Sequence, residues 1–371
     1  MQVTVSDISR MLEAQYPPCL AEKWDNVGLQ IGSNQSSVHK IMVSLDLDRE
    51  ILNQAIEQQV DMIITHHPLF FSPIKRINYD QAQGDLITRI IKNDINVYAA
   101  HTNLDAASRG LNQYLAEKLG LLDIQLLDQQ HLETLYKLVV YVPVSHEAVV
   151  REAIGNMGAG HLGNYSHCCF RSPGTGTFLP QTGSNPYIGE PGKLEEVEEL
   201  RLETIVPQNI LATVINQMKA VHPYEEVAYD LYPLQNQGQA FSLGRIGKLA
   251  AAVTLQEFCA QVKERLQLDS LRVVGNWVDK VQKIAVVSGA GAGFIPVVRA
   301  RNCDLLVTGD LKYHEAKEAE ALGLAIIDAG HQGTEQIMAA LVVAYLRESC
   351  DKMGFAIDIN AACADKCIKT I

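Results

Sequence analysis

Short apolar runs alternate with amphipathic stretches through the first third of the chain, and the same rhythm returns in the last third. Apolar runs of this length bounded by turn residues predict buried strands, and a 3.6-residue apolar period predicts helices packed on them. The segment "VSDISRMLEAQ" reads as a helix beginning near Thr4 or Ser6 and stopped by Pro17 and Pro18. "KIMVSLDL" (40–47) reads as a strand, and "DREILNQAIEQQ" as a helix with Asp48 at its N-cap. "VDMIITHH" is the next strand, followed by a loop with Pro68 and Pro73 and a helix around 84–93. "INVYAAHTNLD" begins as a strand and runs into polar loop, and "SRGLNQYLAEKLG" is a helix closed by Gly120. In the last third, "KIAVVSGAGAG", "CDLLVTGD" and "LAIIDAG" read as strands separated by helices, and "TEQIMAALVVAYLRESC" as a long closing helix. Alternation of this kind predicts an α/β fold, with mostly parallel sheet covered by helices.

The two outer thirds read as copies. Lys40-Ile41 and Lys283-Ile284 both open a strand, Asp61 and Asp304 open the next, and Thr65 and Thr308 close it. Each pair is separated by 243 positions (283 − 40, 304 − 61, 308 − 65). A duplication related by a pseudo-twofold would gather equivalent strand ends at one place, where open α/β sheets put their sites. The middle differs. A strand and helix over "YKLVVYVPVSHEAVVREAIGNMG" precede a Gly/Pro/Ser-rich section (171–192), and "GKLEEVEELRLETIVP", a helix and the strand "EEVAYDLYPL" follow. This β-α-β…β-α-β order predicts a ferredoxin-like α+β domain inserted between two related lobes. The expected division is 1–130, 131–246 and 247–371, with the outer parts packing together around the site.

The formal charge of −12 argues against a surface that holds nucleic acid by bulk charge. No run approaches the ~20 apolar residues of a membrane span, and the N-terminus lacks the basic-then-apolar order of a signal peptide. Eight cysteines in 371 residues are too sparse for a disulfide scaffold, which points to a reduced, cytoplasmic protein.

Candidate chemistry lies where strands end. His66 and His67 are adjacent, and neighbours on a strand point to opposite faces. At a strand end the alternation relaxes, so the pair reads either as capping histidines or as ligands to two different ions. "HQGTE" places His331 and Glu335 at helical i,i+4 spacing, on one face of the next helix. "AAHTNLDAA" offers His101 and Asp105, with the carboxylate able to ligate one ion or bridge two. Histidines and carboxylates without thiols favour Zn, Mn or Fe(II) with open positions. Two ions ~3.5–4 Å apart could share a hydroxide and polarise a substrate oxygen.

Five segments, "EKWDNVGLQIG", "ITHHPLFF", "HTNLDAA", "TGDLKYHEA" and "DAGHQGTE", together resemble the GTP cyclohydrolase 1 type 2 homologue family. Its members are also called interacting-factor-3-like dinuclear-metal proteins. The middle, with "GNYSHCCF" and "HPYEEVAYD", resembles the CutA/PII-like insert of the long bacterial members. The resemblance implies two divalent ions per chain, Zn first with Fe or Mn as alternatives, held by His66, His67, Asp105, His331 and Glu335. Glu335 would be the bridge and the catalytic group. His101 reads as a further ligand or as a group behind the ligands, and by the duplication Asp310 and His314 read as groups behind the ligands, as acid/base groups, or as helix caps. It also implies a homohexameric ring with the metal sites facing an internal cavity. The function expected is metal-dependent hydrolysis of a small molecule, with metal-bound hydroxide attacking an electrophilic carbon, as in opening the ring of GTP. The alternative is a non-enzymatic metal-handling or regulatory assembly whose insert senses an effector.

Other motifs keep two readings each. Trp24, Asp25 and Asn26 read as a packed turn or as a pocket wall near the ions. "SGAGAG" reads as a tight strand-to-helix turn whose amides could take a phosphate. His161, His167, Cys168 and Cys169 read as structural, because adjacent cysteines are poor zinc spacing. His222, Glu225 and Glu226 read as structural or as a regulatory ligand site. "CADKC" (363–367) has no partner pattern.

Overall fold

The computed structural model describes residues 2–129 and 131–362, so "CADKC" lies outside the described residues. It is a mixed α/β structure with several sheets, divided into two compact units, 1–130 with 241–371 and 131–240.

In the first unit, a five-stranded sheet runs in the order Gly28–Ile31, Asn96–Ala99, Met62–Thr65, Lys40–Ser44, Asp358–Ala361. A six-stranded sheet runs Arg272–Val274, Ala325–Asp328, Leu305–Thr308, Lys280–Val286, Arg245–Thr254, Leu122–Leu126. The central strands of both are parallel, and antiparallel strands are added at the edges. "MIIT", "NVYA", "LLVT" and "AIID" are buried at every position, as parallel strands covered on both faces must be. Two strands cross between the thirds. Leu122–Leu126 pairs with Arg245–Thr254, and Asp358–Ala361 pairs in parallel with Lys40–Ser44.

Local signals explain most boundaries. Thr4 caps the helix Val5–Gln15 with Asp7 in a reciprocal box, and Asp48 caps Arg49–Glu57 by accepting from Ile51 N. The closing helix is split in two, His331–Glu335 and Met338–Met353. One backbone device recurs 243 positions apart. The Asp61 carboxylate accepts from His39 N and Lys40 N, and the Asp304 carboxylate accepts from Gln282 N and Lys283 N. Lys40 Nζ donates to Gln58 O, and Lys283 Nζ to Arg301 O.

The second unit has a four-stranded antiparallel sheet in the order Tyr229–Pro233, Leu135–Pro143, Glu195–Pro207, Cys169–Phe178. Its helices Glu147–Asn156 and Leu211–Val221 bury Val150, Ile154, Val214 and Met218 against Leu138, Val140, Val142 and Leu202. Part of the Gly/Pro/Ser-rich section is therefore strand. Cys169–Phe178 is an edge strand, where Pro173 does not interrupt an inner ladder. The boundary expected at 246 falls inside the strand Arg245–Thr254. The first unit resumes at Phe241, whose ring is buried in its core.

Candidate metal centre

The carboxyl ends of six strands converge on one group of side chains. Thr65 ends its strand fully buried, and His66 and His67 follow it into the loop. His66 is completely buried, and its Nδ1–H donates to Ala100 O at 2.9 Å, which leaves Nε2 facing inward. His67 Nδ1 lies 2.7 Å from Asp46 Oδ1, just past the strand Lys40–Ser44. His101 Nδ1 lies 2.8 Å from Asp25 Oδ1, and Thr102 N and Oγ1 donate to the other Asp25 oxygen. His331 Nδ1 lies 2.7 Å from Asp310 Oδ2. Each imidazole thus spends Nδ1–H on an outward oxygen and presents Nε2 to the centre. That arrangement fixes the tautomer of metal-binding histidines.

Glu335 sits among these nitrogens with Oε2 3.0 Å from His331 Nε2 and 3.1 Å from His67 Nε2. Its Oε1 is 3.8 Å from His66 Nε2, which in turn is 3.7 Å from Asp105 Oδ1. The Asp105 side chain accepts from Ser288 Oγ at 3.1 Å, and Asn112 grips Ser288 through both its backbone N–H and its hydroxyl. Gly289 follows with φ +60°, and a Cβ there would lie 2.3 Å from Glu335 Oε1. The glycine of "SGAGAG" is therefore needed for the close approach of this carboxylate. Gly289 N and Gly291 N are bonded to the hydroxyls of Thr334 and Thr308, so these two amides are engaged within the chain.

The electrostatics call for positive charge. Burial pushes the His67 imidazole down, but Asp46 and Glu335 outweigh it and hold it up at about 10. Glu335 raises His331 to about 9, with Asp310 adding to it. Burial pushes the Asp105 carboxyl up, whereas the surrounding imidazoles hold Glu335 well below its ordinary range against its own burial. Asp25 is held down at about 2, because donors from His101 and Thr102 overcome its burial.

The donor set fits divalent cations. Among the described residues, His66 Nε2 is buried with no oxygen nearer than Asp105 Oδ1 at 3.7 Å, and such an atom is costly to leave unpaired. His67 Nε2 and His331 Nε2 face each other at 3.3 Å with their Nδ1 hydrogens committed elsewhere. A cation among these atoms would satisfy all of them. Among the described residues, two groups have one ligand atom each within 4.8 Å of all the others: His66 with His67 and His101, and His67 with His331 and Glu335.

The family described as Duf34/NIF3 (NGG1p interacting factor 3) matches residues 3–367. The chain belongs to the Duf34/NIF3 family. A Bacillus subtilis protein named "GTP cyclohydrolase 1 type 2 homolog" is 44% identical over 357 residues, covering 96% of this chain and 95% of that one. A crystal structure of a Bacillus cereus protein related to NIF3 is 44% identical with a TM-score of 0.86, covering all of both chains. Staphylococcus aureus protein SA1388 is 28% identical with a TM-score of 0.76, covering 100% of this chain and 99% of that one.

Within this Duf34/NIF3 chain, the five ligands implied by the resemblance all line the centre. His101 stands in one group with His66 and His67, and Asp310 stands behind His331. His314 is exposed on the helix Tyr313–Ala321, with its ring against Tyr313, and belongs to neither group. Asp46, Ser288 and Asn112 were missed. Asp46 could have been found from "SLDLD", a carboxylate just past a strand that parallels the one bearing the histidines. His161 and His167 bond to Gly158 O and Asn156 Oδ1 and join neither group.

Proposed function

We propose that the chain is a dinuclear metal protein and a metal-dependent hydrolase of a small molecule. His66, Asp105 and Glu335 Oε1 would hold one ion; His67, His331 and Glu335 Oε2 would hold the other, with His101 beside both. The observation that carries this is the convergence of inward Nε2 atoms on the buried Glu335 carboxylate. Bound divalent ions would polarise a substrate oxygen and activate water near neutral pH. The chain's own part is to hold and orient these side chains. Asp46, Asp310 and Asp25 orient three imidazoles through Nδ1–H, and Glu335, kept ionised by the surrounding imidazoles, would be the catalytic group that holds both ions in place for the chemistry they would supply.

GTP ring opening with formate release is the activity that the relatives' name suggests for this chain. Zinc is the first choice of metal, with iron or manganese next. A cytoplasmic homohexamer and a pseudo-twofold duplication belong to the same reading, the latter supported by the paired Asp61 and Asp304 bonds. The insert's strand order supports its CutA/PII-like character.

The test is formate release from GTP by protein loaded separately with Zn, Mn or Fe(II), beside Glu335→Gln. Metal-dependent formate that disappears in the variant supports the reading. No formate from protein carrying two ions per chain removes GTP as substrate and favours the metal-handling alternative.

A further inference from the structure

The unit 131–240 contains a cavity of about 530 Å³ on the face of its sheet opposite the helices. Tyr141, Glu199 and Arg201 point to this face, alternating with Val140, Val142, Leu200 and Leu202 on the helix side. Three aromatic rings wall it in sequence, with Phe178 6.0 Å and Tyr187 6.3 Å from Tyr224.

At the base lies Glu199, 8% exposed. One of its carboxylate oxygens accepts from Tyr224 Oη at 2.8 Å. The other lies across the neighbouring strand at Gly176, where a Cβ would come within 2.2 Å of it. Any side chain at 176 would displace the carboxylate. His222 fixes the wall: its Nε2–H donates to Tyr141 O, and its Nδ1 accepts from Tyr224 N. The histidine of "HPYEE" is thus structural, while the tyrosine and the carboxylate face the cavity.

The charges decide the class of ligand. Glu199, Glu225 and Glu226 line the cavity against Arg201, whose guanidinium pairs with Glu203 at 3.1 Å. Anions are opposed there. A cation gains from ring faces and from a buried carboxylate, and amidinium N–H groups match a carboxylate edge. We propose that this cavity binds a small organic cation, an amidinium or ammonium carried on a planar apolar body, with its N–H groups on Glu199 and its body between Tyr187 and Tyr224. The proposal does not depend on the metal reading.

The test uses the full chain, with benzamidine as probe and benzoate as its anionic counterpart, by isothermal titration calorimetry. The expected result is one benzamidine per chain, weakened about tenfold or more by Glu199→Gln, which keeps an acceptor for Tyr224, and by Tyr187→Ala. A Glu335→Gln protein should bind it as the parent does, which separates this cavity from the acidic centre in the other unit. No binding at millimolar benzamidine, equal binding of benzoate, or affinity indifferent to Glu199→Gln would overturn the proposal.

Discussion

Two strand ends in the first unit share a backbone frame and divide the chemistry between them. Thr65-His66-His67 and Thr308-Gly309-Asp310 stand 243 positions apart, each after a fully buried strand whose start is held by an aspartate. Where one places His66, buried and aimed at Glu335 and Asp105, the other has Gly309. A Cβ at 309 would lie 2.6 Å from Gly330 C and His331 N, so that position must stay empty for the backbone carrying His331 to pass. Where one places His67, a direct neighbour of Glu335, the other places Asp310, which orients His331 instead. Asp310 adopts φ 54°, a left-handed conformation that aspartate tolerates better than most residues. One frame thus supplies nitrogen to the centre, and its counterpart supplies room and orientation.

Substitutions can break this division. The largest effect is expected from His66→Ala, which removes the fully buried proposed ligand that faces both Asp105 and Glu335. Metal affinity should fall by more than the ~10–100-fold typical of an orienting partner, read by competition with a chelator dye. Gly309→Ala should cost about 1–3 kcal/mol in urea unfolding, because its close neighbours are backbone rather than a movable side chain. It should also lower metal occupancy, whereas an overpacking effect alone would leave occupancy unchanged.

Asp46→Asn and Asp310→Asn sharpen the comparison further. Each leaves its histidine in place but weakens the grip on Nδ1–H, so each should lower metal affinity ~10–100-fold by the same dye assay. Equal losses would mean that the two sides orient their histidines equivalently. The smallest effect belongs to the shared frame. Asp61→Asn and Asp304→Asn each weaken two backbone bonds at the start of a strand and should cost about 1 kcal/mol or more apiece in urea unfolding. Unequal costs would show that the likeness of the two strand starts is only geometric.

The sequence carried the parts of this account that depend on local order. Apolar runs marked the inner strands, and Asp48 and Thr4 marked helix starts where they are observed. The histidines and acids at strand ends were legible because parallel strands deliver all their carboxyl ends to one side. What was not legible depended on pairing between distant segments. Nothing local says that Asp358–Ala361 joins the sheet of the first third, or that Leu122–Leu126 joins that of the last. Ser288 and Asn112 hold Asp105 from 183 and 7 residues away, a relation that no spacing rule reveals. His314 shared a motif with Asp310, but it lies in the first turn of the helix Tyr313–Ala321 and is exposed.

The central claim is that Glu335 lies between two ions. Anomalous diffraction from crystals of protein loaded with zinc, recorded on both sides of the zinc edge, tests it most directly. The account predicts two peaks per chain flanking the Glu335 carboxylate, one beside His66 and Asp105 and the other beside His67 and His331. A single peak, or peaks that leave Glu335 without a contact, would contradict it.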